Sequence, residues 1–187
     1  HLKYLFENEN VGFFYRDGIW SMVMNEKARM NDNEKIIFSE IKTKLLKINS
    51  EKNINFNEKD NYYGFGWSHN MGKPGVWSEG YNSTLLFRVD KTDDDLKLEI
   101  YCNPYTTKKN NTLEFDIYVN NSFNKSMKLN NKQGEKFEIL IKKDSIKNNE
   151  IKIDFEFKNP IAPYEVLESP DSRKLGMLMK NIKISPV

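Results

Sequence analysis

The chain has 187 residues, enough for one domain or one domain with a fragment of a second, and 38% of them are hydrophobic. Its 29 basic and 27 acidic side chains nearly cancel to a net charge of +2. The lysines are scattered between apolar residues rather than gathered on one stripe, which argues against nucleic acid as a partner. A single cysteine, Cys102, excludes an intrachain disulfide, and no run of residues reaches the ~20 apolar positions of a membrane-spanning helix.

In chain order, the first element is a β-hairpin in GFFYRDGIWSMVM, two apolar runs joined at Asp17-Gly18, a two-residue turn signal. An amphipathic helix follows in NDNEKIIFSEIKTKLLKINSEK. Asp32 or Asn33 can cap it, and Ile37, Ile41, Leu45 and Ile48 recur at spacings of three and four. The polar stretch NSEKNINFNEKDN has no period and reads as a linker. The expected organisation is therefore a hairpin-helix piece over 1–52, which could end an upstream domain, and a second domain over 53–187.

From about Tyr62 onward the pattern is all β. STLLFRVD, DLKLEIYCN, TLEFDIYVN, KSMKLN, KFEILIKK, EIKIDFEFK and KLGMLMKNIKIS alternate apolar and polar residues between turns rich in Asn, Asp, Gly and Lys. Alternation with period two leaves each strand one dry and one wet face, so two antiparallel sheets must pack face to face. The expected fold is an antiparallel β-sandwich, jelly-roll-like, preceded by the hairpin and one helix. Cys102 falls in one of these runs and should be a buried, inert thiol. There is no P-loop, no G-x-G-x-x-G and no βαβ rhythm to suggest nucleotide binding.

The richest segment is GFGWSHNMGKPGVWSEGY, with five glycines around Trp67 and Trp77. Exposed indoles can stack on the apolar faces of pyranose rings while neighbouring polar groups bond the hydroxyls. The alternative is two core plugs whose N–H groups are tied to the backbone. The candidate glycan-binding set is Trp67, His69, Trp77, Glu79, Tyr81 and Arg173, with Asn70 and Asn82 as further polar groups. Arg173 can instead clamp Asp171 or Glu79 bidentately and pin the last strand to the glycine-rich stretch. Asp90, Asp93, Asp94 and Asp95 offer oxygen ligands for a structural calcium, although their spacing is that of a solvated turn. The carboxylates on the strands alternate onto the wet face, no G-x-S-x-G occurs, and no catalytic residue is assigned.

Taken together, Gly66-Trp67, then Val76-Trp77-Ser78-Glu79-Gly80, then a late SPDSRKLGM resembles a bacterial domain that accompanies glycosyltransferases and other cell-surface polysaccharide proteins. The resemblance covers about Tyr62 to Ser185 and reaches Trp67, Trp77, Ser78, Glu79, Pro170, Asp171, Arg173, Leu175 and Gly176. SHNMGKPG departs from it where a Pro-Glu pair is expected. The resemblance implies a carbohydrate-binding jelly roll with a glycan or polysaccharide and a parent enzyme domain as partners, in the bacterial cell envelope, extracytoplasmic in preference to cytoplasmic. The front piece, through its RDGIW hairpin and following helix, resembles the tail of alkaline-phosphatase-like phosphoglycerol transferases and sulfatases. That likeness implies a catalytic apparatus outside this chain. An N-terminal His1 with His69 and Tyr62 or Tyr63 has the ligand types of the copper brace of lytic polysaccharide monooxygenases, but HLKYLFENEN does not resemble their mature ends, and no metal is assigned. The expectation is a non-catalytic accessory domain that recognises or positions glycan. The alternatives are a docking module without glycan affinity, or a transferase fragment.

Overall fold

The structure is a computed structural model that describes residues 11–16, 19–24, 45–46, 51–55, 64–68, 75–90, 92–130 and 133–187. The chain divides into two compact units, His1–Lys42 and Thr43–Val187. In the first, strands β1 (Val11–Arg16) and β2 (Ile19–Met24) pair antiparallel with Arg16 opposite Ile19. That is the expected hairpin register, its Asp17-Gly18 turn lying outside the described residues.

The second unit is built from β3 (Leu45–Leu46), β4 (Lys52–Asn55), β5 (Val76–Glu79), β6 (Asn82–Val89), β7 (Leu96–Pro104), β8 (Leu113–Val119), β9 (Ser122–Leu129), β10 (Glu135–Ile141), β11 (Glu150–Phe157) and β12 (Leu175–Pro186). One sheet has the order β10-β7-β12, after which β5 and β4 both pair with the free edge of β12. The other runs β3-β6-β11-β8-β9. Without the accessory strands β3 and β4, successive strands interleave as β5-β12-β7-β10 against β6-β11-β8-β9. This is a jelly roll of eight strands, antiparallel throughout. The two-residue pairing of β3 with β6 is parallel.

The period-two pattern places the core. Leu113, Phe115, Ile117 and Val119 of β8 and Ile151, Ile153, Phe155 and Phe157 of β11 point inward against Leu96, Leu98, Ile100 and Cys102 of β7. Phe115 sits at the centre, its ring 5.7 Å from Phe137 of the opposing sheet and 5.4 Å from Phe157. A bulge in β12 between Met179 and Asn181 shifts the phase, so the inward set changes from Met177 and Met179 to Ile182 and Ile184. Two turns use asparagine where φ must be positive: Asn120-Asn121 between β8 and β9, and Asn148-Asn149 before β11. Cys102 is buried, and desolvation pushes its thiol up to about 12, which keeps it unreactive.

Two expectations are corrected here. Leu45–Leu46 is a strand against Arg88–Val89 of β6, so the helix expected over 31–52 does not run through its last turns. Most of that segment lies outside the described residues, among which only 3-10 turns at Lys143–Ser145 and Pro163–Val166 are helical. Lys52–Asn55, expected as linker, is a strand on β12 with Ile54 in the core. Backbone pairing at an open sheet edge overrode local preference at both places.

On the outer face of the first sheet Glu99 is almost covered, with Lys136 Nζ at 2.7 Å, Lys97 Nζ at 3.4 Å and Lys183 Nζ at 3.8 Å. The hydrogen bond from Lys136, aided by Lys97, holds its carboxyl at about 2, below its ordinary 4.5. A depressed folded value gives a contribution that is complete above the ordinary value and lost as pH falls from about 4.5 towards about 2. Urea melts should therefore show wild type losing stability across that window more steeply than Glu99→Gln, and parallel curves would show the cluster to be inert.

Candidate functional site

The glycine-rich stretch answers to two different surroundings. Its first part, residues 64–68, crosses the open edge of the sandwich and bonds to both sheets. Gly64 N–H donates to the Thr84 carbonyl at 2.8 Å and Thr84 N–H to the Phe65 carbonyl at 3.0 Å, both on the β6 side. On the β5 side, Ser68 N–H donates to the Trp77 carbonyl and Glu79 N–H to the Gly66 carbonyl, each at 2.8 Å. Trp67 is carried into this seam. Its indole N–H donates to the Thr84 carbonyl at 2.8 Å, and its ring meets Phe155 edge-on at 6.2 Å, packed against the core. Gly66 has φ +78°, and a Cβ there would lie 2.0 Å from the Asn82 carbonyl oxygen, so only glycine fits.

Trp77 has the opposite orientation. On β5, Val76 and Ser78 are buried while Trp77 and Glu79 face outward and are half-buried. Ser78 uses its hydroxyl to accept the Met177 N–H at 2.9 Å, where the β5–β12 register shifts. Trp77 stands across from Leu178, which in turn faces Asn103. Tyr105, just past β7, meets the indole edge-on at 5.8 Å and donates its hydroxyl to Glu168 Oε2 at 2.8 Å. Burial first, then the Glu168 bond, pushes the Tyr105 hydroxyl up to about 12, so it stays a donor at neutral pH. The Trp77 indole N–H has no hydrogen-bond partner among the described residues, and the buried Asn103 Oδ1 also lacks one. A half-exposed aromatic with an unspent N–H can bind an amphipathic ring.

Arg173 gathers the polar side chains. Its Nε and Nη2 fork onto Asp171 at 2.9 and 2.5 Å, while Nη1 donates to Glu79 Oε1 at 3.0 Å and Ser68 Oγ at 2.8 Å. Ser68 in turn donates to Glu79 Oε1 at 2.5 Å. The Asp171 bond, reinforced by Glu79, raises the guanidinium further above its already high value, so it is permanently charged. The loop before β12 is thus bound to β5 and to the seam. Tyr81 lies nearby in sequence on the β5–β6 turn, its hydroxyl accepting from Lys174 Nζ at 2.6 Å.

Of the six expected residues, the structure brings Glu79 and Arg173 together, sends Trp67 into the seam and turns Trp77 outward. Tyr81 pairs with Lys174, and His69 lies outside the described residues, as do His1, Tyr62 and Tyr63. The proposed calcium turn is partly spent: Asp95 accepts from Lys142 Nζ at 2.8 Å and from the Lys143 N–H at 3.0 Å. Among the described residues no three His, Cys, Asp or Glu side chains come together to hold a metal ion. Sequence reasoning missed Tyr105 and Glu168. Their signal was topological, since the β5–β6, β7–β8 and β11–β12 connections of this strand order share one end of the sandwich.

The chain matches no known family pattern and no curated protein in sequence. Among solved structures it is similar to the CBM36-1 domain of a multidomain xylanase from the hindgut metagenome of Trinervitermes trinervoides. That likeness has 10% identity and a TM-score of 0.48 over 73% of this chain and 98% of that one. A carbohydrate-binding module CBM36 in complex with calcium and xylotriose gives 10% identity, 72% and 99% coverage and a TM-score of 0.46. A Podospora anserina GH26-CBM35 β-(1,4)-mannanase gives 10%, 74% and 28%, and 0.43. At such identities and scores these likenesses carry no conclusion about a ligand.

Gly66 and Gly80 test the seam. Both have positive φ, but nothing lies within 4 Å of a Cβ at Gly80. Gly80→Ala should cost about 1–2 kcal/mol from conformation alone. Gly66→Ala should cost at least about 3 kcal/mol by denaturant melts, because the collision adds to the strain. Equal costs would mean that residues 64–68 do not close the edge as described.

Proposed function

We propose that the second unit is a non-catalytic glycan-recognition domain, an accessory module of an enzyme that builds or modifies bacterial surface polysaccharide. The observation that carries the reading is Trp77, an indole held half-exposed on the outer sheet face with its N–H unspent and Tyr105 braced against it. Stacking on a pyranose ring asks for such a face, and the indole N–H can donate to a sugar oxygen. Glu79 and Asp171 are both held by Arg173. That favours a fixed binding surface over an acid–base pair, which would need one carboxyl free to exchange a proton.

A second reading has its own observation. Leu167 is 90% exposed and in left-handed backbone (φ 59°), and Tyr164 of the same loop is 64% exposed. Two outward apolar side chains on a loop anchored at its base suit docking to a parent enzyme domain.

Calorimetric titration with bacterial surface polysaccharides separates the two. Covering roughly 60 Å² of apolar indole and sugar surface at ~25 cal/mol per Å² is worth about 1.5 kcal/mol, or roughly tenfold in affinity. Trp77→Ala should therefore weaken binding at least about tenfold, in a protein that circular dichroism shows to be folded as wild type. Wild-type protein that binds no glycan, yet loses parent-enzyme association on Leu167→Ser, would establish docking instead.

A further inference from the structure

Beside Tyr105 lies an open cavity of about 320 Å³, lined by Thr107, Lys108 and Lys109 of the β7–β8 loop and by Val166 and Glu168 of the β11–β12 loop. The turn that presents the two lysines is unusually well held for a loop. Thr107 N–H donates to the Asn110 carbonyl at 2.8 Å, and Asn110 N–H returns to Thr107 Oγ1 at 3.0 Å. Asn110 then forms a reciprocal amide pair with Asn159. Its Nδ2 donates to the Asn159 carbonyl at 2.7 Å, and Asn159 Nδ2 donates to Asn110 Oδ1 at 2.8 Å and to the Thr112 carbonyl at 2.8 Å. Asn159 Oδ1 accepts the Glu114 N–H at the start of β8. Thr106 and Thr107 are buried beneath, so the turn is fixed while Lys108 and Lys109 remain exposed at its tip.

Neither lysine has an ion pair or hydrogen bond to any described residue, whereas many others on this unit are paired, among them Lys97, Lys128, Lys136, Lys142, Lys152, Lys158 and Lys183. On the opposite wall Glu168 accepts the Tyr105 hydroxyl, and Glu165 accepts the Ala162 N–H. The cavity therefore offers two unspent ammonium groups on one side and a carboxylate with spare acceptor capacity on the other. Tyr105 links that carboxylate directly to Trp77.

We infer that this cavity is an acidic-sugar subsite of the glycan surface proposed above. A sugar ring carrying an anionic oxygen group, a uronate carboxylate or a phosphate ester, places that group on Lys108 and Lys109 and gives hydroxyl protons to Glu168. A neighbouring ring of the same glycan stacks on Trp77. A bare anion satisfies only half of the site, since Glu168 repels it. The inference rests on the glycan reading, which supplies the chain of rings joining the two subsites.

The test is a glycan array carrying matched pairs with and without the acidic group, read at low and high salt. The pairs are free and methyl-esterified oligogalacturonates, phosphorylated and plain maltooligosaccharides, and glucuronyl-substituted and plain xylooligosaccharides. The acidic member of a bound pair should be favoured roughly tenfold at low salt, an advantage that collapses at high salt. The carboxylate and phosphate pairs separate the two sources of charge. Lys108→Ser/Lys109→Ser should abolish the preference while leaving the neutral member bound as by wild type, and inorganic phosphate at matched ionic strength should not compete. Equal binding of both members overturns the acidic subsite and leaves the glycan reading standing. A preference that survives the double substitution overturns the assignment to these lysines. Binding to neither member of any pair overturns the acidic subsite, and if the bacterial surface polysaccharides also fail to bind, the glycan reading falls with it.

Discussion

Strand β12 has both edges occupied along its length: β7 on one side, and β5 followed by β4 on the other. Most backbone polar groups of a buried strand must be paired, and here one strand satisfies three neighbours. The cost is geometric. Two phase errors are absorbed in β12, a bulge near Lys180 against β7 and a register shift against β5. The second is sealed by the Ser78 hydroxyl, which takes the Met177 N–H, and by Gly176, where a Cβ would lie 2.6 Å from Ser78 Oγ. Ser78 and Gly176 are thus one packing unit written at two distant places in the chain.

The site geometry follows from that arrangement. Ser78 must point inward to serve β12, so period two turns Trp77 and Glu79 outward. Trp67 belongs to the segment that closes the gap between β5 and β6, and the Thr84 carbonyl fixes its indole. Arg173, immediately before β12, then fastens Glu79 and Asp171 to the seam, replacing flexible loop ends with charge-assisted bonds. A surface preorganised in this way loses little conformational entropy when a ligand arrives, which matters most for shallow binding.

Much of this was legible in the chain. Seven strands announced themselves by period-two alternation, broken in β12 by its bulge, and the Arg173 clamp was readable because a guanidinium two residues from an aspartate, before an apolar run, has few better partners. β4 and β5 were not readable as strands. LysAsnIleAsn buries one side chain, and ValTrpSerGlu hides a serine and shows a tryptophan, inverting the usual apolar-inward pattern. Sequence made Trp77, bounded by strand residues, the better core plug of the two tryptophans, and the seam reverses that by taking Trp67 and turning Trp77 outward. Tyr105, Lys108 and Lys109 lay in a polar loop whose importance comes from which loops share an end of the jelly roll, a property of strand order rather than of any local motif. Asparagine, read in the sequence as a turn residue between strands, takes the positive φ of the turns at Asn120, Asn121, Asn148 and Asn149, where left-handed backbone tolerates it.

The central claim is that the glycine-rich stretch serves two purposes, with Trp67 as seam and Trp77 as contact surface. Nitrogen-15 labelling of the indoles gives three N–H resonances, one for each tryptophan of the chain. Following them during titration with a bound glycan tests the claim directly. The account predicts a saturable shift of the Trp77 resonance, with the Trp67 signal unmoved and slow to exchange with deuterium. A shift of Trp67 with Trp77 unaffected would contradict it.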